Sequence, residues 1–397
     1  MPFVDSTTAK ATVDDQANMA NETESPKVND YPYFAPRIWH GMSSSVWYKL
    51  LSEHRFGVQG RFPMVGWIAA CGVINSALNR YQSFRFGRRS RETPLVADPV
   101  FVIGHWRTGT TFLHSLLAQD PNLWAPTCLE CVNPKHSMVS RKLVTSILET
   151  PSKRPMDNVQ VSWDEPQEDE VALCIAGAPS LYRNIAFPRH EARYFEALTL
   201  EGLSPKDLAH WKSTLREFVG NLNFHRGKQL VLKSPTHTAR IPTLLEMYPT
   251  AKFIHITRHP HKFIPSTVHL WNAMNQTTAF QKNLTGVDVE DYVFDCFDRM
   301  YESYNRNQHL IPEENFAEIT FQDLVANPVI ALESVYKRLG LSGFEDARSK
   351  IAFYANARRN YKKNKLPVSE KLADRIDQHC ASYMQQYCPD VAARKAA

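Results

Sequence analysis

Pro99-Val-Phe-Val-Ile-Gly-His-Trp-Arg-Thr-Gly-Thr-Thr-Phe-Leu-His-Ser-Leu-Leu117 is the stretch around which the 397-residue chain is organised. Four consecutive apolar residues, Val100 to Ile103, predict a short strand buried on both faces, as in a parallel sheet. Phe112, Leu113, Leu116 and Leu117 then recur at helical spacing. Between them lies Gly104-His-Trp-Arg107-Thr108-Gly109-Thr110-Thr111. A glycine-bounded turn from strand into helix gathers backbone N–H groups and the positive helix end around an anion. Gly104 and Gly109 permit the tight path and a close backbone approach.

The spacing is similar to a Walker A loop, but Thr110 stands at the lysine position and the strong cation is Arg107. A kinase or ATPase needs that lysine on the β/γ-phosphates and a metal ligand from the next Ser/Thr. The loop therefore keeps a phosphate cradle and moves its charge. In this it resembles the 5′-phosphosulfate loop of sulfotransferases that use 3′-phosphoadenosine 5′-phosphosulfate (PAPS), in the bacterial form with an arginine in a GxxRxGTT pattern.

A second anchor follows the same plan. Phe253 to Ile256 read as a strand, Arg258 stands at its end, and Ser266 lies eight residues on, in the next helix. In the family resembled, an Arg and a Ser at this spacing hold the 3′-phosphate of PAPS. The planar guanidinium suits that task because it meets two phosphate oxygens at once. A Walker B strand would end in Asp to hold Mg²⁺. A further strand, Gln229 to Leu232, ends in Lys233-Ser-Pro-Thr-His237. Side chains at the C-terminal end of a parallel strand face the ligand crevice, which makes Lys233 an additional anion contact. Glu318 to Phe321 read as a fourth strand, and the Asp323-Leu, Asn327-Pro and Leu339-Gly-Leu pattern after it is similar to late sulfotransferase domains.

The resemblance covers roughly residues 97–345 and implies an α/β, P-loop NTPase-like fold: three layers, with a central parallel sheet and flanking helices. Around it stand a disordered tail (1–30), a helical N-terminal cap (31–96) and a basic C-terminal helical segment (346–397). The implied chemistry is in-line sulfuryl transfer, with PAP as product. Backbone amides of Thr108, Gly109, Thr110 and Thr111, with the Thr110 and Thr111 hydroxyls, hold the 5′-phosphate; Arg107 neutralises charge as that phosphate departs. Arg258 and Ser266 select the 3′-phosphate. Arg358, in the basic cluster with Arg359, Lys362, Lys363 and Lys365, is a further anion contact, although the family's Arg-Lys-Gly loop is absent.

The acceptor's proton needs a base. Glu130, among apolar neighbours shortly after the cradle helix, is the candidate, since a carboxylate there is costly unless used or paired. The acidic block Asp164-Glu165-Pro-Gln-Glu168-Asp169-Glu170 leaves two readings open: a solvated turn that starts a helix, or a wall of the acceptor site carrying an alternative base. No metal is expected, because Cys128-x-x-Cys131 has no second CxxC or His pair beside it.

A net charge of +5 fits a small anionic ligand, and no nucleic-acid-reading motif accompanies it. The N-terminus shows no signal peptide, and seven cysteines, an odd number, suit a reducing compartment; the cytoplasm is the expected site. Residues 62–78 form an apolar stretch interrupted by Pro63, Gly66, Gly72, Asn75 and Ser76, followed by five arginines. That pattern suits a buried or interfacial helix and allows a peripheral membrane contact. The acceptor is left as a small-molecule, carbohydrate or lipid-like hydroxyl or amine, with a tilt toward the lipid-like; oligomeric state is open. Two competing readings are a nucleotide kinase with a degenerate loop, marked by Mg²⁺-dependent ATP turnover, and a non-catalytic PAP or nucleotide binder.

Overall fold

In the computed structural model, the described residues are 37–147, 162–189, 194–282, 287–359 and 366–388, with short pieces at 28–29, 31, 35, 153–157, 159 and 284. Most of the expected tail, and Lys362, Lys363 and Lys365, lie outside them. The N-terminal segment forms α1 (Ser44–Glu53) and the 31-residue α2 (Phe62–Glu92). Then come β1 (Val100–Ile103), α3 (Thr110–Leu117), β2 (Leu123–Trp124), α4 (Cys128–Val132), α5 (Ser137–Ile147) and α6 (Asp169–Ile175). They are followed by α7 (Pro205–Arg226), β3 (Gln229–Lys233), β4 (Lys252–Thr257), α8 (Pro260–Thr278) and α9 (Val289–Asn307). The chain continues through β5 (Phe316–Thr320), α10 (Phe321–Ala326), α11 (Pro328–Leu339), α12 (Phe344–Ala357) and α13 (Glu370–His379).

The five strands are parallel and ordered β2-β3-β1-β4-β5. β1 is central: β2 and β3 lie to one side of it, β4 and β5 to the other. That reversal creates the crevice beyond the strands' C-terminal ends where open α/β sheets bind ligands. The register puts Lys233 opposite Val102, His255 opposite Ile103 and Thr320 opposite Thr257, so the polar ends share one edge.

Alternation along the strands builds the three layers. Phe101 and Ile103 join Leu230, Leu232 and Phe253 on one face, against Trp211, Leu215 and Phe218 of α7 and Phe297 and Met300 of α9. Val100 and Val102, with Val231, Ile254 and Ile256, face the other way onto Leu113 and Leu117 of α3, Leu332 and Val335 of α11 and Ile351 of α12. Trp39, Trp47, Met64 and Ile68 from the N-terminal segment and Leu372 and Ile376 from α13 enter the first of these cores.

Strand ends differ from the sequence reading by a residue or two, and one strand went unread. β5 ends at Thr320 rather than at Phe321, because the Thr320 hydroxyl accepts from the Asp323 N–H at 3.1 Å and starts α10. The edge strand β2 holds only two residues, too few to carry a periodic signal.

Candidate active site

The cradle is shaped by its glycines. Gly104 turns at a φ of 137° and its N–H donates to the Thr238 hydroxyl at 2.8 Å. A Cβ there would lie 2.5 Å from the Ile256 carbonyl oxygen. At Gly109, φ is 109° and a Cβ would lie 2.4 Å from the Phe321 ring. Arg107 also adopts a left-handed φ, 68°, a costly conformation that clusters at ligand-binding sites. Thr108 turns inward: its N–H and its hydroxyl both donate to the His105 carbonyl, at 3.3 and 2.7 Å. Its expected contribution to phosphate binding thus gives way to a bolt that closes the turn. Thr110 and Thr111 open α3, so their N–H groups have no acceptor within the helix.

Both anchors meet at Arg107. Its Nε donates to Ser266 Oγ at 2.9 Å, its Nη1 donates to Asp157 Oδ2 at 2.8 Å, and its carbonyl accepts from Arg258 Nη1 at 2.8 Å. Ser266, expected beside Arg258, thus sits on the side chain of Arg107, while Arg258 grips the backbone of the same residue. Arg258 lies 4.4 Å over the Phe321 ring, the ring that abuts Gly109. Burial, reinforced by the neighbouring Arg107, lowers its pKa to about 10. Arg258 makes no ion pair among the described residues, so its charge is available to an anion.

Asp157 gave no signal in the sequence. It also accepts from Arg154 Nε at 3.0 Å and Nη2 at 2.7 Å. Burial alone would raise its pKa, but Arg154 and Arg107 together hold it at about 2.

On the β3 side, Lys233 Nζ stands 3.4 Å from Thr111 Oγ1 and donates to Glu168 Oε1 at 2.7 Å. The Tyr182 hydroxyl donates to the other oxygen of Glu168 and accepts from Trp106 Nε1 at 3.1 Å. Burial, and then the charge of Glu168, push the Tyr182 phenol well above its ordinary value, so it keeps its proton. Glu168 is therefore linked to the cradle through Lys233 and through Trp106, with its side chain still 17% exposed.

The acidic block divides: Asp164 and Glu165 lie in an exposed turn, as one of the two readings had it, whereas the residues that open α6 do not. Asp169 and Glu170 are fully buried. Asp169 pairs with His237 Nε2 at 2.6 Å and accepts from Ser234 Oγ at 2.8 Å. Glu170 accepts from Ser180 Oγ at 2.6 Å, Thr236 Oγ1 at 3.0 Å and Arg240 Nη1 at 2.5 Å. These bonds lock α6 to the loop after β3 and hold Glu168, at the head of α6, against Lys233.

Glu130, the base expected from the sequence, is occupied otherwise. Its Oε2 accepts from Thr127 N at 2.9 Å, Thr127 Oγ1 at 3.1 Å and Trp124 Nε1 at 3.1 Å, the first of these completing a capping box on α4. Its Oε1 accepts from Arg226 Nε at 2.9 Å and Nη2 at 2.5 Å. A carboxylate has about four lone-pair directions, and these five donors fill them; none belongs to the cradle. The cost of burying Glu130 is met by pairing, not by catalytic use. Arg358 pairs with Glu165 at 3.1 Å and lies 3.5 Å over the Tyr354 ring. This pair ties the end of α12 to the acidic block.

The sequence profile described as "Sulfotransferase family" matches residues 99–346. Two curated relatives, the omega-hydroxy-beta-dihydromenaquinone-9 sulfotransferases Stf3 of Mycobacterium bovis and Mycobacterium tuberculosis, are each 36% identical over 365 residues. The match spans 91% of this chain and 94% of theirs. Among solved structures, sulfotransferase STF9 from Mycobacterium avium superposes with a TM-score of 0.66 at 16% identity, covering 98% of both chains. Sulfotransferase STF1 from Mycobacterium tuberculosis gives 0.60 at 19% identity, over 86% of this chain and 94% of that one.

Proposed function

The chain belongs to the sulfotransferase family, and on that premise we propose that it moves the sulfuryl group of PAPS to a hydroxyl of a lipid-like, isoprenoid-quinone type of acceptor. The observation that carries the reading is the Lys233–Glu168 pair standing against Thr111 of the cradle, whose loop also carries Arg107, braced by Ser266. PAPS supplies an activated sulfuryl group whose leaving group is a phosphate.

The amides that open α3 and the Thr110 and Thr111 hydroxyls hold the 5′-phosphate. Arg107 and Lys233 neutralise the charge that grows on the departing oxygen, an electrostatic role that usually dominates such chemistry. Glu168 takes the acceptor's proton as the new oxygen–sulfur bond forms and the sulfur–phosphate oxygen bond breaks. Tyr182 and Lys233 fix the carboxylate's two oxygens, so one proton has one defined destination. Arg258, half-buried and with no ion pair among the described residues, binds the 3′-phosphate, with Ser266 bracing Arg107 beside it. The acceptor class rests on the similarity to the menaquinone-derivative sulfotransferases over most of the chain.

The test is transfer from labelled PAPS to an ω-hydroxylated prenylquinone, with a water-soluble phenol as comparison and no metal added. Sulfated quinone formed in preference to sulfated phenol supports both donor and acceptor. Mg²⁺-dependent ATP turnover, or PAP binding without transfer to either acceptor, would remove the proposal.

A further inference from the structure

The helix α2 is inside out for a protein surrounded by water. Its buried stripe is Met64, Ile68, Gly72, Asn75, Gln82 and Ser90. Half of that stripe is polar and bonded to the body: Asn75 Nδ2 donates to the His40 and Met42 carbonyls at 2.7 and 2.9 Å. Gln82 Oε1 accepts from Met138 N at 3.0 Å, and Ser90 Oγ donates to Asn221 Oδ1 at 2.8 Å. The outward side carries Phe62, Trp67, Val73, Ile74, Tyr81 and Phe84, the last 91% exposed. A surface helix ordinarily turns these two faces the other way. By length and composition α2 could cross a bilayer, yet only 22% of its most apolar window is buried.

We infer that the outward face of α2 docks the enzyme peripherally on an anionic lipid bilayer. Crossing is excluded by the attachments at Asn75, Gln82 and Ser90, which tie one side of the helix to the protein along most of its length. Lying in the interface asks for an apolar face with aromatic residues at headgroup depth and flanking cations. Trp67, Tyr81 and Phe84 supply the first, and Arg80, Arg85, Arg88, Arg89 and Arg91 the second. Only Arg88 has a carboxylate partner among the described residues, Glu92 on the same helix, at 2.8 Å. Five arginines against one glutamate also choose the occupant. A second copy packed across a two-fold axis would set the same arginines against each other, whereas anionic headgroups neutralise them. The inference stands independently of the donor and the acceptor.

The test is co-sedimentation of the full chain with vesicles of phosphatidylcholine alone or with one-third phosphatidylglycerol, at low and high salt. Binding to the anionic vesicles is expected to be at least about tenfold tighter and to weaken with salt. The double variant Trp67→Glu, Phe84→Glu should lose at least about tenfold in vesicle affinity with an unchanged circular-dichroism melt, since both side chains are solvent-facing. The triple variant Arg85→Gln, Arg88→Gln, Arg89→Gln should bind both vesicles alike. Equal binding of the unaltered chain to the two vesicles, or none, overturns the inference. So does a dimer in sedimentation velocity that the double variant abolishes in the absence of lipid binding. All these readouts are independent of sulfuryl transfer.

Discussion

Arg107 combines a left-handed backbone, a side chain shared between Ser266 and Asp157, and a carbonyl that receives Arg258. Loss of its side chain therefore takes away the loop's cation and the partner of Ser266, while the carbonyl that receives Arg258 stays. Arg107→Ala should raise the transfer barrier by on the order of 2–4 kcal/mol, read as kcat/KM in labelled-PAPS assays; near-wild-type turnover would sink the role. The two glutamates make an opposed pair. Glu168→Gln should lower kcat by roughly 10²–10⁴-fold in the fraction that folds, alongside a lower melting temperature because the buried Lys233 loses its counter-charge. Glu130→Gln, which loosens the cap on α4 and weakens the pairing with Arg226, should cost about 1–3 kcal/mol of stability while the folded enzyme keeps its kcat. The reverse pattern would return the base to Glu130. The sequence could show that Glu130 is a buried carboxylate, but not that Arg226, 96 positions away, reaches it. Likewise Asp157 lies in a short polar turn with no motif, and only the fold brings it to Arg107.

Cradle and anchor strands were legible as elements because both faces of each are covered. An uninterrupted apolar run closing on a cationic or glycine-bounded end can hardly be read otherwise, and Lys233 and Arg258 stand where that reading puts them. α6 was harder. Its opening residues Glu168, Asp169 and Glu170 look alike in sequence, yet two are buried counter-ions for His237 and Arg240 and one is the partner of Lys233. Only tertiary partners separate them. The closest packing in the cradle belongs to Gly109, which faces the ring carrying Arg258. Gly109→Ala must leave a φ of 109° or displace Phe321. Either way both anchors move, so PAP affinity should fall at least about tenfold in a protein that still melts cooperatively. Unchanged affinity would mean that the loop is not the phosphate cradle.

At the scale of the whole molecule, buried histidines set an acid limit. Burial lowers His105 and His114 to about 3, and His40 and His136 to about 4. In the unfolded chain they titrate near 6.5, so below that pH the unfolded state takes up protons the folded state refuses. Each such histidine removes up to about 1.4 kcal/mol per pH unit between its unfolded and folded values. Asp157 and Asp169, whose values are depressed in the fold, contribute stability above the usual carboxylate range that is lost as pH falls through their folded values. The melting temperature should therefore drop by several degrees between pH 7 and pH 5, and a flat profile would contradict the burial. The three-layer plan was readable from the family resemblance, and an N-terminal cap over the core was expected; that Trp39 and Trp47 share one core with α13 was not readable, since those contacts join the two ends of the chain. On the proposed function, the fold serves the reading of a 3′-phosphate beside a cradled 5′-phosphate. Calorimetric titration of the purified chain with PAP, with ADP as control and no metal, tests that most directly. PAP should bind at least about tenfold more tightly than ADP, a gap of about 1.4 kcal/mol, and the gap should close in Arg258→Ala. Equal binding of the two nucleotides by the unaltered chain, or binding of ADP only with Mg²⁺, would contradict the assignment of Arg258 and bring the kinase reading forward.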